Sequence, residues 1–227
     1  MMVIPIEDHM VHRGHGVFDT AIILDGIEVQ ERHSTILDEC RSWGLLTLPA
    51  GCPTSAFYAV VIDEDFAQCK EGVKVITSAI PMKSPLFATM KNVNYLPNVL
   101  SKMEAEDKGG PNVNVAFINS GKELILPSFD KILRGCTTLR LLQLAPKLVE
   151  QGRLRFVKTT DITVEDAKGA AEMMYVGSTL PLLPIIMWGD KPIGNGEVGE
   201  LTMALSDLLW EDMAAGLESQ RIPIPYA

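Results

Sequence analysis

The sequence lacks a basic cluster, a long apolar run and a cysteine framework, and each absence excludes a class of protein. Its 227 residues contain 20 Lys and Arg against 29 Asp and Glu, which gives a net charge of −9. A nucleic-acid partner requires clustered basic residues, and none occurs here. No apolar run approaches the roughly 18–20 residues that cross a bilayer. We therefore expect neither nucleic acid nor a membrane as a partner.

The cysteines are few and widely separated. They are Cys40, Cys52, Cys69 and Cys136. This spacing is typical neither of a metal site nor of a small disulfide-stabilised domain. Charged residues at positions 7–9 interrupt the N-terminus, which therefore does not resemble a signal peptide. The sequence predicts a soluble protein of a reducing compartment.

The first third of the chain is rich in strand-forming residues. They predict strands at 17–24, 27–30, 57–63 and 73–80. Asp25-Gly26 predicts a two-residue hairpin between the first two strands. Prolines at 81 and 85 cannot continue a strand ladder, so this stretch is predicted to be a linker. We expect a small α/β domain over residues 1–80, a linker over 81–86 and a larger domain over 87–227.

Beyond this linker, helical and strand patterns mix. Asn94 is predicted to cap a helix over 95–108, with Leu96, Val99, Leu100 and Met103 on one face and Gly109-Gly110 as its stop. Strands are predicted at 113–119, 122–126, 155–162 and 173–177, the first two joined across Ser120-Gly121. Further helices are predicted at 137–151, capped by Thr137 or Thr138, after a capping box of Thr163 and Asp166, and at 200–214. Hairpins and helices without regular alternation predict an α+β fold.

Three segments carry residue types suited to chemistry. Arg13 and His15 stand beside glycines at the start of the first strand, which is also what a tight turn requires. Lys91 lies in a mainly apolar stretch before a helix, where a desolvated amine could act as a nucleophile and base, although surface lysines also end strands.

The third segment is Gly135-Cys136-Thr137-Thr138 at the start of a predicted helix. Unpaired N–H groups and hydroxyls there would suit an anion such as a phosphate. Ser178 and Thr179, after a later strand, would add donors to the same anion. Threonine caps are common on helices, so a purely structural role stays open for each of these residues.

The order of the motifs adds to these signals. The sequence resembles the fold-type IV enzymes that use pyridoxal 5'-phosphate (PLP), the class-IV aminotransferases, and within them the plant D-amino-acid transaminase-like proteins, which are often described as branched-chain aminotransferase-like. The matching stretches are RGHGVFDT, KNVNYLPNVLSKMEAEDKG, PNVNVAFI, LPSFDKILRGCTT and EMMYVGSTLPLLPI. The resemblance implies a two-domain α+β fold with a small N-terminal domain and a C-terminal pseudo-barrel domain that binds PLP.

The resemblance also implies a role for each matching residue. Lys91 would hold PLP as a Schiff base and move the proton during transamination. Tyr95 would lie near the cofactor ring, and Arg13 and His15 would shape the mouth of the active site. The residues expected to bind the phosphate are Cys136, Thr137, Thr138, Ser178 and Thr179. Family members are homodimers, and the plant members lie in plastids, so we expect a homodimer in a plastid or the cytoplasm.

The sequence departs from the family pattern at two places. The family carries a glutamate beside the pyridine nitrogen just before the PNVNVAFI-like stretch, but here Gly110 runs directly into Pro111. The family also has an arginine three residues after a histidine, to grip the phosphate, whereas Ile36 follows His33 at that spacing. The N-terminal domain is therefore expected to be incomplete and transamination slow. Either the chain has a genuine deletion or its sequence joins stretches that are not contiguous in the protein.

The resemblance supports several functions. The first is transamination between a D-amino acid and a 2-oxo acid, both small molecules. The second is 4-amino-4-deoxychorismate lyase activity, which uses the same lysine and cofactor, and the third is branched-chain aminotransfer. The two departures also favour a non-catalytic, truncated paralogue as an alternative.

Overall fold

The structure, a computed structural model, describes residues 16–24, 27–29, 62, 67–108, 115–216, 218 and 221–223. The strands are β1 (Ile22–Leu24), β2 (Ile27–Val29), β3 (Val73–Val75), β4 (Val115–Ile118), β5 (Glu123–Pro127), β6 (Phe156–Thr160), β7 (Glu172–Val176), β8 (Leu182–Trp188), β9 (Lys191–Pro192) and β10 (Arg221–Pro223). The helices are α1 (Pro85–Ala88), α2 (Leu96–Lys108), α3 (Cys136–Leu144), α4 (Pro146–Glu150), α5 (Val164–Lys168) and α6 (Glu200–Ala215).

The larger sheet has seven strands in the order β3-β8-β7-β4-β5-β6, with β9 paired to β8. The β3–β8 and β5–β6 pairs are parallel, and the other pairs are antiparallel. A second sheet of three strands has the order β1-β2-β10. This mixture of pairings confirms the α+β prediction. The division into domains at residues 81–86 stays a prediction.

The larger sheet buries an apolar core on each face because successive strand residues point to opposite sides. On β7, Met174 and Val176 join a core that includes residues of α3, α4 and α6. Met173 belongs to the core on the other face, and Tyr175 packs against that core. Strand β7 is therefore packed on both faces, and the turn at residues 177–181 follows it directly.

Glu172, at the start of β7, caps helix α6. Its Oε1 accepts a hydrogen bond from the Leu201 N–H at 3.2 Å. Its Oε2 accepts from the N–H and the hydroxyl of Thr202. Carboxylates stabilise helix N-termini because they satisfy unpaired N–H groups and oppose the helix dipole. Gly199 precedes the helix, and a Cβ there would overlap the Cδ of Glu172, so the cap requires glycine at this position.

The short-range turn signals predicted local structure well. Leu24 pairs with Ile27, which confirms the hairpin across residues 25–26. Ile118 pairs with Leu124, which confirms the hairpin across Ser120-Gly121. Thr163 forms the predicted capping box with Asp166 at the start of α5. In each case two or three residues near in sequence determine the conformation, so the pattern is readable without the tertiary fold.

The helix predicted at 137–151 is divided in two. Gly135, rather than Thr137 or Thr138, is the N-cap of α3, so the prediction of a threonine cap was wrong. Pro146 begins α4, because proline lacks an N–H and fits the first turn of a new helix. The strand predicted at 73–80 ends at Val75. Strand β8, with Pro184 paired to Met174, was not predicted.

The apolar side chains of α2 lie on its surface. Leu96, Val99 and Met103 are 64%, 46% and 56% exposed, and Leu100 is also exposed. The buried residues of this helix are Ser101 and Ala105. The expectation that apolar periodicity marks the core side fails here, because no described residues cover this face.

Several predictions concern residues that the structure does not describe. Residues 109–114, which include the Gly109-Gly110 stop and the Gly110–Pro111 junction, lie outside the described residues. The same is true of His33 and Ile36, and of the predicted strand at 57–63 except Ile62.

Over the described ranges, no helix combines the length and apolarity needed to cross a bilayer. Within the same ranges, no group of three or more His, Cys, Asp and Glu could hold a metal ion.

Candidate active site

Lys91 lies where two of the sequence motifs meet. Val17 and Asn92 form an antiparallel bridge. The Phe18 N–H donates to the Lys91 carbonyl at 3.1 Å, and the Val93 N–H donates to the Gly16 carbonyl at 3.0 Å. Residues 16–18 of the RGHGVFDT stretch are therefore backbone partners of residues 91–93 in the KNVNY stretch. This pairing fixes the position of the Lys91 backbone between the turn that follows α1 and the bridge at Asn92.

The Lys91 side chain extends over an aromatic ring. Its Nζ lies 4.4 Å from the centroid of the Phe18 ring. Phe18 in turn packs edge-to-face against Tyr95, with the ring centroids 5.4 Å apart. The Lys83 Nζ lies 5.2 Å from the Tyr95 ring on this same group of aromatic residues. Rings near two amines provide a flat apolar wall together with cation–π contacts.

Tyr175 connects this aromatic group to the turn after β7. Burial, with a smaller effect of the neighbouring Tyr95, raises the pKa of the Tyr175 phenol, so Tyr175 keeps its proton at neutral pH. Its hydroxyl occupies the position that a Cβ on Gly177 would take. Gly177 therefore leaves room for the Tyr175 hydroxyl beside Ser178 and Thr179. The turn and the two tyrosines belong to one region.

The start of α3 offers hydrogen-bond donors. The first helical hydrogen bond runs from the Leu139 N–H to the Gly135 carbonyl at 3.0 Å, so the N–H groups of Thr137 and Thr138 precede it. No side chain caps these groups, because the N-cap is Gly135. The side chains of Thr137 and Thr138 are themselves buried. Buried hydroxyls beside uncapped N–H groups suit an anion.

The turn at 177–181 lies at the end of the core that also contains α3. Val176 and Leu182, which pair across this turn, belong to the same buried cluster as Leu141 of α3. Ser178 is half-buried and Thr179 is exposed. The turn that carries Ser178 and Thr179 therefore borders the same apolar core as α3, which carries Thr137 and Thr138.

The structure thus brings several predicted residues together and adds others. Lys91 and Tyr95 share the Phe18 ring, while Thr137 and Thr138 form the uncapped helix start with half-buried Cys136. Arg13 and His15 lie outside the described residues. Sequence reasoning missed Phe18, Lys83 and Tyr175 as site residues. Phe18 and Tyr175 stand within the quoted motifs, so their positions were a usable signal, whereas nothing in the sequence marked Lys83.

The family is decided by comparison with known sequences. The sequence profile of the family described as Amino-transferase class IV matches residues 41–188. The chain belongs to this family. Class-IV aminotransferases use PLP, so this chain is a PLP-dependent aminotransferase by family and α+β by fold, as predicted.

Three relatives illustrate the range of the family. The chain is 44% identical to the chloroplastic D-amino-acid transaminase of Arabidopsis thaliana, covering 99% of this chain and 75% of that protein. It resembles the branched-chain aminotransferase of Thermoproteus uzoniensis in its structure with norvaline, with 20% identity, a TM-score of 0.58, and coverage of 70% and 58%. It also resembles 4-amino-4-deoxychorismate lyase from Pseudomonas aeruginosa, with 17% identity, a TM-score of 0.73, and coverage of 96% and 97%.

The lengths of these proteins differ from that of the chain. The chain spans 58% of the Thermoproteus uzoniensis enzyme, which is less than two thirds of its length. The match to the plant transaminase extends over 281 residues, 54 more than the 227 of this chain. The plant protein therefore carries residues between the matched stretches that have no counterpart here.

The residues of the site fit PLP at its aldehyde and at its phosphate. Half-buried Lys91 supplies an amine beside aromatic rings, which suits the aldehyde of the cofactor. The uncapped N–H groups and buried hydroxyls of Thr137 and Thr138 suit its phosphate. The predicted absence of a carboxylate beside the pyridine nitrogen stays a prediction, because residues 109–114 lie outside the described residues.

Proposed function

We propose that this chain transfers the amino group of a D-amino acid to a 2-oxo acid, with Lys91 as the residue that binds PLP. The observation that carries this proposal is the backbone pairing of Lys91 with Phe18, which holds the amine over an aromatic wall. The 44% identity to the plant D-amino-acid transaminase supports the substrate class.

Each residue of the site has a distinct task in this proposal. Thr137 and Thr138 bind the phosphate through N–H and hydroxyl donors, and Ser178 and Thr179 add further donors. Phe18 and Tyr95 form the aromatic wall beside Lys91. When PLP is bound, it supplies an electron sink for the substrate. The Lys91 Nζ, once displaced by the amine of the amino acid, would accept the proton of the substrate Cα and donate it to the former aldehyde carbon of PLP, so that the amino group would stay on the cofactor.

Cofactor loading tests the role of Lys91 before any turnover is measured. The purified chain with PLP should show a visible absorption band, and borohydride reduction should attach the cofactor to the peptide that contains Lys91. Lys91→Ala should show neither. The matched control is Lys102→Ala, which removes an exposed lysine in an ion pair with Glu106 on α2. A reduced adduct on any other lysine would contradict the assignment.

Substrate tests separate the competing activities. D-alanine with 2-oxoglutarate should yield pyruvate, and L-leucine should react more slowly. The similarity to 4-amino-4-deoxychorismate lyase, with a TM-score of 0.73, supports a lyase as the second candidate. Pyruvate release from aminodeoxychorismate without any 2-oxo acid would favour that lyase. A folded chain that binds PLP but converts none of these substrates would favour the non-catalytic paralogue.

We further propose that the chain forms a homodimer. Helices α1 and α2 expose apolar side chains at Leu86, Phe87, Leu96 and Met103, and a second copy could cover them. Light scattering should give twice the 24.9 kDa mass of the chain. We also expect that it works in a plastid, as the plant transaminase does by its description, or in the cytoplasm. Fractionation of the expressing cells would distinguish these compartments.

A further inference from the structure

A second lysine lies on the aromatic group beside Lys91. Lys83 precedes α1 and is half-buried, with its Nζ 5.2 Å from the centroid of the Tyr95 ring. Tyr95 packs on Phe18, and the Lys91 Nζ lies over that second ring. The two amines therefore flank the same pair of rings. The role assigned to Lys91 in the proposed function leaves Lys83 without a task.

Neither amine has a carboxylate neighbour in the part of the chain that the structure describes. Other basic residues do: Lys74, Lys102, Lys158, Arg140, Arg153 and Arg155 each form an ion pair with a carboxylate. Acidic residues exceed basic ones in this chain by 29 to 20, so carboxylates are not scarce. Two half-buried amines without a counter-ion among the described residues form a positive group that suits an anionic ligand.

Burial has a measurable effect on Lys83. It lowers the pKa of the Lys83 ammonium from its ordinary value, because the charged form loses hydration. An ammonium in such a place gains most when an anion provides the missing partner. A bound carboxylate would supply that partner.

The positions of the two amines indicate which carboxylate reaches Lys83. End to end, the separations of 4.4, 5.4 and 5.2 Å limit the distance between the two Nζ atoms to about 15 Å. The carboxylate next to the reacting amino group stays near Lys91, because only one carbon separates the two groups. A carboxylate at the end of the substrate side chain lies several bonds further from Lys91, and Lys83 is the second amine on the same pair of rings.

We propose that Lys83 binds the side-chain carboxylate of a dicarboxylic amino acid or 2-oxo acid, and that it thereby selects dicarboxylic over monocarboxylic substrates. This inference rests on the proposed aminotransferase function. It makes Lys83 a determinant of specificity, with no part in proton transfer. Lys91 would then act at the reacting end of the substrate, and Lys83 would bind its other end.

Kinetics of the PLP-loaded enzyme test this inference. Lys83→Met should raise the KM for 2-oxoglutarate at least about tenfold, since a charge-assisted hydrogen bond has an effect of this order. The KM for pyruvate should change less than about twofold. Lys83→Arg should keep most of the selectivity because it keeps the charge. An equal rise for both acceptors, or no rise for either, would overturn the inference.

Lys168→Met is the matched control. The Lys168 Nζ lies 5.2 Å from the Trp188 ring, the same separation as between Lys83 and Tyr95. Trp188 ends β8, whereas the turn at 177–181 precedes the start of that strand. Lys168→Met should therefore remove a similar cation–π contact and leave both KM values unchanged. If it reproduces the effect of Lys83→Met, the loss of selectivity is a general consequence of destabilisation and the inference fails.

Ligand binding gives a readout that does not depend on turnover. Glutarate should raise the melting temperature of the PLP-loaded wild type and of Lys168→Met, and should not raise that of Lys83→Met. Butyrate, which has one carboxylate, should have a smaller effect than glutarate on the wild type and on Lys168→Met. If the wild type transfers no amino group but shows this pattern with glutarate, the proposed function fails and the role of Lys83 stands. If it transfers amino groups but shows no such pattern, the role of Lys83 fails alone.

Discussion

The Oε2 of Glu172 accepts hydrogen bonds from both the backbone N–H and the hydroxyl of Thr202, at 2.6 and 2.7 Å. Thr202 is completely buried, and the Leu201 N–H donates to the other carboxylate oxygen. One side chain of β7 thus satisfies three donors at the start of α6. Strand and helix are joined by polar contacts as well as by their apolar core.

Replacing Glu172 with alanine should destabilise the chain. The expected loss is about 2–3 kcal/mol, because buried donors at the helix start lose their partner. Urea unfolding monitored by circular dichroism would measure it. Glu200→Ala is the control, since Glu200 is an exposed acid of the same helix turn, paired with Arg153. It should cost at most about 1 kcal/mol, and equal losses for the two variants would contradict the capping role.

Gly199→Ala should destabilise the chain by the same route. A Cβ at this position would overlap the Cδ of Glu172, so the carboxylate would have to leave the helix start. In a Glu172→Ala background the added methyl group meets no carboxylate, and its cost should be small. A double-mutant cycle measures this coupling, which should exceed about 1 kcal/mol. Additive losses would show that the two residues act independently.

Glu123 should make stability depend on pH. The hydrogen bond from Asn119 lowers the pKa of this carboxyl below its ordinary value of 4.5, and the charges of Lys158 and Arg155 lower it further against the opposing effect of burial. The ionised carboxylate thus stabilises the fold above the ordinary pKa, and this contribution is lost as the pH falls through the lowered pKa.

The difference in unfolding free energy between wild type and Glu123→Gln should therefore be constant near neutral pH and shrink below about pH 4.5. Chemical unfolding at a series of pH values would show it. Asn119→Ala should reduce the pH-dependent part, since the hydrogen bond from Asn119 is the largest single cause of the lowered pKa. An unchanged pH dependence in this variant would contradict that role.

Thr137→Val and Thr138→Val should weaken cofactor binding. Each variant keeps the shape of the buried side chain and removes one hydroxyl donor, so we expect a loss of PLP affinity of roughly tenfold for each. Fluorescence titration of the cofactor-free chain would measure the dissociation constants. Thr163→Val is the control, because its hydroxyl caps α5 away from the phosphate donors. Unchanged affinity in both threonine variants would remove them from the phosphate site.

Much of the fold follows from local signals in the sequence. The hairpins and the capping box at Thr163 depend on residues a few positions apart, and these predictions were confirmed. Strand β8 could not be predicted in the same way. Pro184 argues against a strand, but β7 pairs with β8 across the turn at 177–181 and β3 pairs with it from a distant part of the sequence.

The site was predictable only in part for the same reason. Lys91 was identifiable by its motif, and the family assignment confirmed the cofactor. The position of Lys83 depends on how the segment before α1 packs on Tyr95, and no local pattern encodes that packing. The apolar periodicity of α2 did not indicate burial. It shows which residues share a face but not whether other residues cover that face.

Lys91 approaches the site from a part of the chain with few buried residues. Helix α1 has none, and α2 buries only Ser101 and Ala105 among its described residues, whereas β4 and β5 lie in the two cores. Amide hydrogens of residues 85–108 should therefore exchange with solvent through local opening, long before those of the central strands. A ligand that bonds to Lys91 and to the start of α3 would connect the segment 85–108 to the packed core. In this chain the cofactor would thus stabilise the structure as well as take part in the reaction.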